Sequence, residues 1–382
     1  MLSINFEYTQ FRWRTALLLM LSVFLMVGSG PVTARADGGE RLVLAFYYNW
    51  FDENSWGAKV PDQPVQPYVS RDRAVMARHI DQAKAAGIDA LVVNWWGPQA
   101  DNQTETNLRG MLDEAAARGF RIAVDVDLNS PYLHGAGAIQ TAMSTLLNSH
   151  AKHSAYLKVD GKPVVFFYHQ NQRLSTAGWA AIRNAVDPGR NSLWIEEGTD
   201  VSPLSVFDGH HLYSVTWANR TDMSYTANKF ARLVRAKAAA LGAPKVYVAT
   251  VMPGYDDRKT GRGNAFAVGR EDGAYYARSW QAAIGSAPDW IVINSFNEWP
   301  EGTYIEPSQT YGNLFLDLTA QWTAVFRGSA PPPPPPPPKP KVAAPAKPKP
   351  VTVKPTSTPK PTPLPTRTPE PVFSRPGGLS GK

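Results

Sequence analysis

Eight short runs rich in β-branched and aromatic residues recur along this chain: Leu42 to Tyr48, Ala90 to Trp95, Arg121 to Val126, Val164 to Tyr168, Leu193 to Glu196, His211 to Val215, Val246 to Thr250 and Trp290 to Asn294. Between most of them lie segments that are alanine-rich or carry apolar residues at three- and four-residue spacing, namely Arg71 to Ala86, Glu105 to Arg118, Ala136 to Ser149, Ala177 to Ala185, Ser224 to Leu241 and Asp272 to Ile284. Strands alternating with helices need parallel pairing through crossovers. Eight such units over this length predict an α/β fold of the closed (β/α)8 TIM-barrel type rather than an open sheet. The fifth unit is irregular, because only Pro203 and Gly209 punctuate the chain between Glu196 and His211 and no helical spacing appears there. A last helix, Leu314 to Phe326, closes the domain.

The ends of the chain read differently from its middle. In residues 1–36, Arg12 and Arg14 precede the apolar run Ala16 to Val27, and Ala34-Arg35-Ala36 is a small-x-small cleavage pattern, which predicts an export signal. The apolar run is short for a membrane span. A barrel domain is therefore expected over 37–328, in a protein that is secreted or associated with the cell envelope. From Ser329 the composition changes abruptly: eight consecutive prolines, Pro331 to Pro338, open a tail (329–382) too rich in proline to bury a core, and disorder with extended polyproline character is expected there. Its nine Lys and Arg against Glu370 give the tail a charge of +8, and the leader carries +2, so of the total +7 the barrel segment keeps −3. A nucleic-acid-binding domain is basic on its own account, and this one is not. The basic tail suits contact with anionic envelope polymers, or simply a solvated linker. With no cysteine there is no disulfide, thiolate metal site or thiol nucleophile. The seven scattered histidines do not suggest a zinc ligand set, so neither metal nor cofactor is expected.

Active sites in (β/α)8 barrels lie at the C-terminal ends of the strands. The residues at or just past those ends are Tyr48 to Asp52, Asn94-Trp95-Trp96, Asp125 and Asp127, His169-Gln170, Glu196-Glu197, Trp217, Tyr255 to Asp257 and Asn297 to Glu301. Almost all offer an aromatic plate, an amide or a carboxylate, which together suit a saccharide, since sugars present C–H faces to rings and hydroxyls to polar groups. Glu196 and Glu197 point to opposite faces of their strand, so at most one faces the cleft.

The densest chemistry follows the eighth run, in Ile291-Val-Ile-Asn-Ser-Phe-Asn-Glu-Trp-Pro-Glu-Gly-Thr-Tyr-Ile-Glu-Pro307. Glu298 and Glu301 sit either side of Trp299 and Pro300 and before Gly302, so the chain turns and both carboxylates can converge on one small ligand. Glycosidic cleavage needs such a pair, one member to protonate the leaving oxygen and the other to act as base or nucleophile. A purely structural alternative is a capping box, Ser295-x-x-Glu298, although Pro300, Gly302 and Pro307 leave little room for the helix it would open.

The stretch Ser295 to Pro307 resembles the motif of glycoside hydrolase family 99 and its relatives, the endo-α-mannosidase-like enzymes. Other pieces are similar in order along 42–326: Phe46-Tyr47-Tyr48-Asn49-Trp50, Gly87 to Trp96, Tyr156 to Tyr168 with Gly161-Lys162-Pro163, and Pro253-Gly254-Tyr255. The resemblance implies that Glu298 is the base and Glu301 the acid/base. It also implies retention of anomeric configuration through attack of the sugar's own 2-hydroxyl oxygen, by way of an anhydro-sugar. It further implies a basic residue after the seventh strand, which Arg258 or Arg262 could supply. Pro300 stands where the mannosidases usually carry His, and Phe51-Asp52 replaces their Tyr-Gly. The catalytic pair thus carries over while the substrate stays open.

The expected saccharide-binding set is Tyr47, Tyr48, Trp50, Trp95, Trp96, Asp127, Tyr255, Arg262, Asn297 and Trp299, in a protein that works as a monomer on an oligosaccharide or polysaccharide. Two alternatives remain: a conventional two-carboxylate glycosidase drawing its second carboxylate from Glu196 or Glu197, and a non-catalytic carbohydrate-binding envelope protein.

Overall fold

Eight parallel strands close on themselves in the computed structural model, which describes residues 40–218 and 222–331. The expected export signal lies outside the described residues, as does the tail beyond Pro331. The strands are β1 (Val43–Tyr47), β2 (Ala90–Trp95), β3 (Arg121–Asp127), β4 (Lys162–Tyr168), β5 (Leu193–Glu197), β6 (Gly209–His211), β7 (Val246–Val251) and β8 (Trp290–Ile293). Each pairs in parallel with its successor, and β8 returns to β1 with Val43 opposite Ile291, so no barrel edge is left unpaired.

Around the barrel run α1 (Arg73–Ala85), α2 (Gln103–Ala117), α3 (Gly135–Asn148), α4 (Thr176–Val186), α5 (Ser224–Leu241), α6 (Ala274–Gly285) and α7 (Leu314–Phe326). Local chemistry sets several of their starts: Asp72, Asn102 and Ser175 each accept a hydrogen bond from a backbone N–H of the first turn of α1, α2 and α4. After β5 a single 3-10 turn, Ser202–Ser205 with Pro203 at its start, takes the place of a helix, as the missing periodicity foretold.

The sixth strand differs from the expectation of His211 to Val215. It runs Gly209–His211, because Gly209 lets β5 and β7 close in: a Cβ there would meet Ile195 Cδ1 at 2.6 Å and Val246 Cβ at 2.9 Å. A search for bulky β-formers passes over such a position. Beyond His211 the chain leaves the ladder, and the carbonyl of Tyr213 is taken by Asn294 Nδ2 at 2.8 Å.

Alternation along the strands sorts side chains into two cores. Leu44, Phe46, Ala90, Val92, Ala123, Val164, Phe166, Ile195, Val248 and Val292 fill the barrel interior. Val43, Ala45, Leu91, Val93, Ile122, Val124, Val165, Phe167 and Trp194 face the helices. The interior series, continued one step past the packed core, arrives at the mouth.

Candidate active site

The segment after β8 is a closed loop held by its own backbone. Ser295 N donates to Thr303 O (2.9 Å), Thr303 N to Glu298 O (3.2 Å), Gly302 N to Trp299 O (3.1 Å) and Ile305 N to Ser295 O (3.0 Å). Gly302 adopts φ +62°, and a Cβ on it would press on the backbone of Asp256 at 3.0 Å, so this turn needs glycine. Ser295 Oγ does accept from Glu298 N at 2.7 Å, which is half of a capping box. The reciprocal half is missing and no helix follows, so the side chain of Glu298 is free of that structural duty.

Glu298 and Glu301 are 5% and 9% exposed. Glu298 Oε2 is buried with no hydrogen-bond partner among the described residues. Burial, reinforced by the charge of Glu301, drives its carboxyl well above the ordinary range, while Arg262 opposes the shift. Glu301 is raised by burial as well, against the hydrogen bond and charge of Arg262, whose Nη1 lies 2.6 Å from Glu301 Oε1. Of the two basic residues left open by spacing, Arg262 is therefore the one at the site. Arg258 turns to Asp256 instead, through contacts of 2.9 and 2.8 Å.

Around the pair stand the inward ends of other strands. Tyr48 OH and Tyr213 OH are 2.7 Å apart, and the Tyr48 hydroxyl is held well above its ordinary pKa by burial and then by Glu298. Partly buried Trp50 packs on Tyr48 (ring centroids 4.7 Å) and Trp96 (5.3 Å). Trp96 Nε1 donates to Asp127 Oδ2 at 3.3 Å, as does Asn94 Nδ2 at 3.2 Å. Tyr255 stacks on Phe266 at 4.6 Å, and its hydroxyl is 3.4 Å from Arg262 Nη1. These groups bring Tyr48, Trp50, Trp96, Asp127, Tyr255, Arg262, Glu298 and Glu301 into one mouth.

Four expected ligand contacts are corrected. Tyr47 is fully buried on the helix side of β1, its hydroxyl 3.0 Å from His79 Nδ1. Trp95 lies likewise outside β2, donating Nε1 to Glu105 Oε2 at 2.8 Å. Both are in phase with the outward series, so alternation turns them from the cleft. Trp299 is buried against Tyr304 (3.8 Å) with Nε1 on Glu306 Oε2 (2.9 Å). Asn297 spends its amide on the backbone of Tyr48, at 2.7 and 2.8 Å, and on Tyr68 OH at 3.1 Å, tying the loop after β8 to β1 rather than meeting ligand.

Other mouth residues were not singled out as ligand contacts. Tyr168 follows Phe166 in the inward series of β4, a signal present in the alternation. Tyr213 lies past the shortened β6 and packs on Tyr168 at 4.6 Å, which no strand pattern would show. Glu197, not Glu196, faces inward, with Asp125 beside it. Glu196 is enclosed between barrel and helices, and burial pushes its pKa up to about 9. Among the described residues no group of three or more His, Cys, Asp or Glu could hold a metal ion.

A closed (β/α)8 barrel with a buried carboxylate pair among aromatic plates at its C-terminal mouth is a barrel of the glycoside-hydrolase type. The model of glycosyl hydrolase family 99 matches residues 60–321, and the chain belongs to that family. A human glycoprotein endo-alpha-1,2-mannosidase-like protein is 28% identical over 295 residues, covering 68% of this chain and 63% of its own length. The glycoprotein endo-alpha-1,2-mannosidase of Xenopus laevis is 26% identical over 303 residues, covering 67% and 63%. This chain thus spans less than two thirds of those relatives. The solved GH99 endo-alpha-mannosidase of Bacteroides thetaiotaomicron, in complex with bis-tris-propane, superposes with a TM-score of 0.66 at 25% identity, covering 76% of this chain and 99% of that one.

Proposed function

We propose that this protein is an exported glycoside hydrolase that cuts α-mannoside-type or related glycans within the chain and retains anomeric configuration by participation of the 2-hydroxyl. The observation that carries this is the Glu298–Glu301 pair at the mouth of β8, one carboxyl with a buried oxygen that has no partner among the described residues and the other held by an arginine. Buried carboxyls with raised pKa values are what proton transfer near neutral pH uses. In this scheme Glu298 withdraws the proton of the 2-hydroxyl, whose oxygen attacks the anomeric carbon. Glu301 gives its proton to the departing oxygen and later takes one from water, which opens the anhydro-sugar. Trp50, Trp96 and Tyr255 supply the ring faces and Asp127 a carboxylate for hydroxyls. Export rests on the Arg12, Arg14 and Ala34-Arg35-Ala36 pattern.

A conventional nucleophile drawn from Glu197 would have to be ionised, and burial holds its carboxyl above the ordinary range against the backbone N–H groups of His169 and Tyr213. The test is incubation of the full chain with α-mannan oligosaccharides and matched 2-deoxy analogues, with the product anomer followed by NMR. Internal cleavage with retained configuration, and no turnover of the 2-deoxy analogue, is expected. Turnover of the analogue at the parent rate would replace 2-hydroxyl participation by the conventional route. Absence of cleavage on every α-mannoside would remove this substrate class.

A further inference from the structure

A general acid must carry its proton before the leaving oxygen arrives, yet a guanidinium 2.6 Å from a carboxylate oxygen favours the ionised form. The contact thus works against the protonated form that the step assigned to Glu301 needs, even though burial favours it. Glu298 shows the complementary mismatch. An ionised carboxylate with a buried, partnerless oxygen is costly, so the base is the member that keeps a proton at rest.

We propose that Arg262 is a positioning residue that decides which carboxyl of the pair carries their shared proton: seated on Glu301 it leaves the proton on Glu298, and a saccharide filling the leaving-group side of the cleft lifts it away so that Glu301 becomes the acid. This rests on the assignment of Glu298 as base and Glu301 as acid. The exchange balances. One proton passes from Glu298 to Glu301, the pair keeps a single negative charge, and the guanidinium keeps its own protons.

Three features suit Arg262 to the task. Its side chain is 50% exposed while that of Glu301 is 12% exposed, so it meets an incoming ligand first. It sits between Gly261 (φ +78°) and Gly263, in the loop joining the two short antiparallel strands Tyr255–Asp256 and Ala267–Val268. A second carboxylate stands ready to receive it, for Asp257 Oδ2 is 3.4 Å from the same Nη1, and Asp257 is fixed by Phe266 N, which donates to its Oδ1 at 2.7 Å. A general acid must come within hydrogen-bond reach of the glycosidic oxygen. At Glu301 Oε1 that place is already occupied by Nη1.

The groups facing the pair are Arg262, Asp257 and Tyr255 from the segment after β7, Tyr213 from the segment after β6, Tyr168 from β4, Asp127 from β3 and Tyr48 after β1. The tyrosine hydroxyls are raised by burial, so Arg262 is the group whose charge favours ionised Glu301.

Two measurements on the full chain test this. In the free protein, infrared difference spectra of Glu298→Gln and Glu301→Gln against wild type should show a protonated-carboxyl band lost in Glu298→Gln and kept in Glu301→Gln. The reverse assignment overturns the inference, whether or not a substrate has been found. In turnover of an O-linked oligosaccharide, Arg262→Gln should move the basic limb of the kcat/KM profile up by roughly 1 pH unit or more, while Arg262→Lys keeps the wild-type limb. A glycosyl fluoride, whose leaving group needs little protonation, should show no such displacement. An unchanged limb in Arg262→Gln, or an equal shift in Arg262→Lys, means that Arg262 does not set the proton. Wild type turning over neither substrate, with the band assignment as stated, counts against the glycosidase assignment alone.

Discussion

Two carboxylates of the barrel wall, Glu105 and Glu306, and two of its mouth, Glu298 and Asp125, differ in how far their buried oxygens are met by donors. In the wall, Glu105 accepts from Trp95 Nε1 at 2.8 Å and Arg109 Nε at 2.7 Å and lies 3.0 Å from His150 Nε2. Glu306, the third glutamate of the motif, accepts from Tyr68 OH and Trp299 Nε1 at 2.9 Å each and lies 3.0 Å from His79 Nε2. At the mouth, Glu298 Oε2 and Asp125 Oδ1 have no partner among the described residues. A buried acceptor left open costs stability, so it persists where a ligand or a proton is to fill it. Three glutamates within nine residues of one loop thus divide into one strut, Glu306, and two at the mouth, Glu298 and Glu301, which are the pair proposed to react.

The contrast is broken most directly by amide substitutions. Glu298→Gln and Glu301→Gln are each expected to lower kcat by at least ~10²-fold, since the shape survives and proton transfer does not. Glu301→Gln should recover partly on an activated aryl glycoside and Glu298→Gln should not. Retained turnover in either variant would move that glutamate from the reactive group to the structural one.

Next in size is the pair of adjacent tryptophans at the end of β2, Trp95 as its last residue and Trp96 just past it. Trp95→Ala should cost about 3–5 kcal/mol of unfolding free energy in urea, by leaving a large cavity and removing one donor from Glu105. Trp96→Ala should leave most of the stability and instead weaken oligosaccharide binding by roughly 1–3 kcal/mol. Equal affinity for Trp96→Ala with the fold intact would count against this cleft.

The smallest effect is one of sign. Burial pushes the Glu105 carboxyl up, but His150, Trp95 and Arg109 outweigh it and the folded pKa is lowered. Its stabilisation is therefore present above the unfolded pKa and lost as pH falls through the lower folded value. Glu298 is raised, so its penalty is absent below the unfolded pKa and grows as pH rises above it. At neutral pH, Glu105→Gln should lower Tm and Glu298→Gln raise it, with both differences shrinking as the scan moves to acid. Shifts of the same sign would erase the distinction between wall and mouth.

Much of this was legible in the residues. Eight apolar runs with intervening helical periodicity dictate a parallel closed sheet, because successive parallel strands need a crossover and a closed barrel leaves no edge. The composition change at Ser329 and the clustering of Glu298 and Glu301 after the last run are local facts that any reader of the chain meets. Strand alternation even held the means to set Tyr47 and Trp95 apart from Tyr48 and Trp96, since residues one step apart on a strand look in opposite directions.

Other decisions needed partners that are distant in the chain. Gly209 as the start of β6 depends on how closely β5 and β7 approach, and the choice of Arg262 over Arg258 depends on the path of a loop toward a carboxylate 39 residues away. Asn297 and Trp299 sit beside Glu298 in the motif yet serve as supports, because Tyr48, Tyr68 and Glu306 reach them first. Sequence alone determined which residue types arrive at the barrel's mouth. Tertiary structure decided which of them are already satisfied, because hydrogen bonding and burial are properties of a folded neighbourhood and not of a position in the chain.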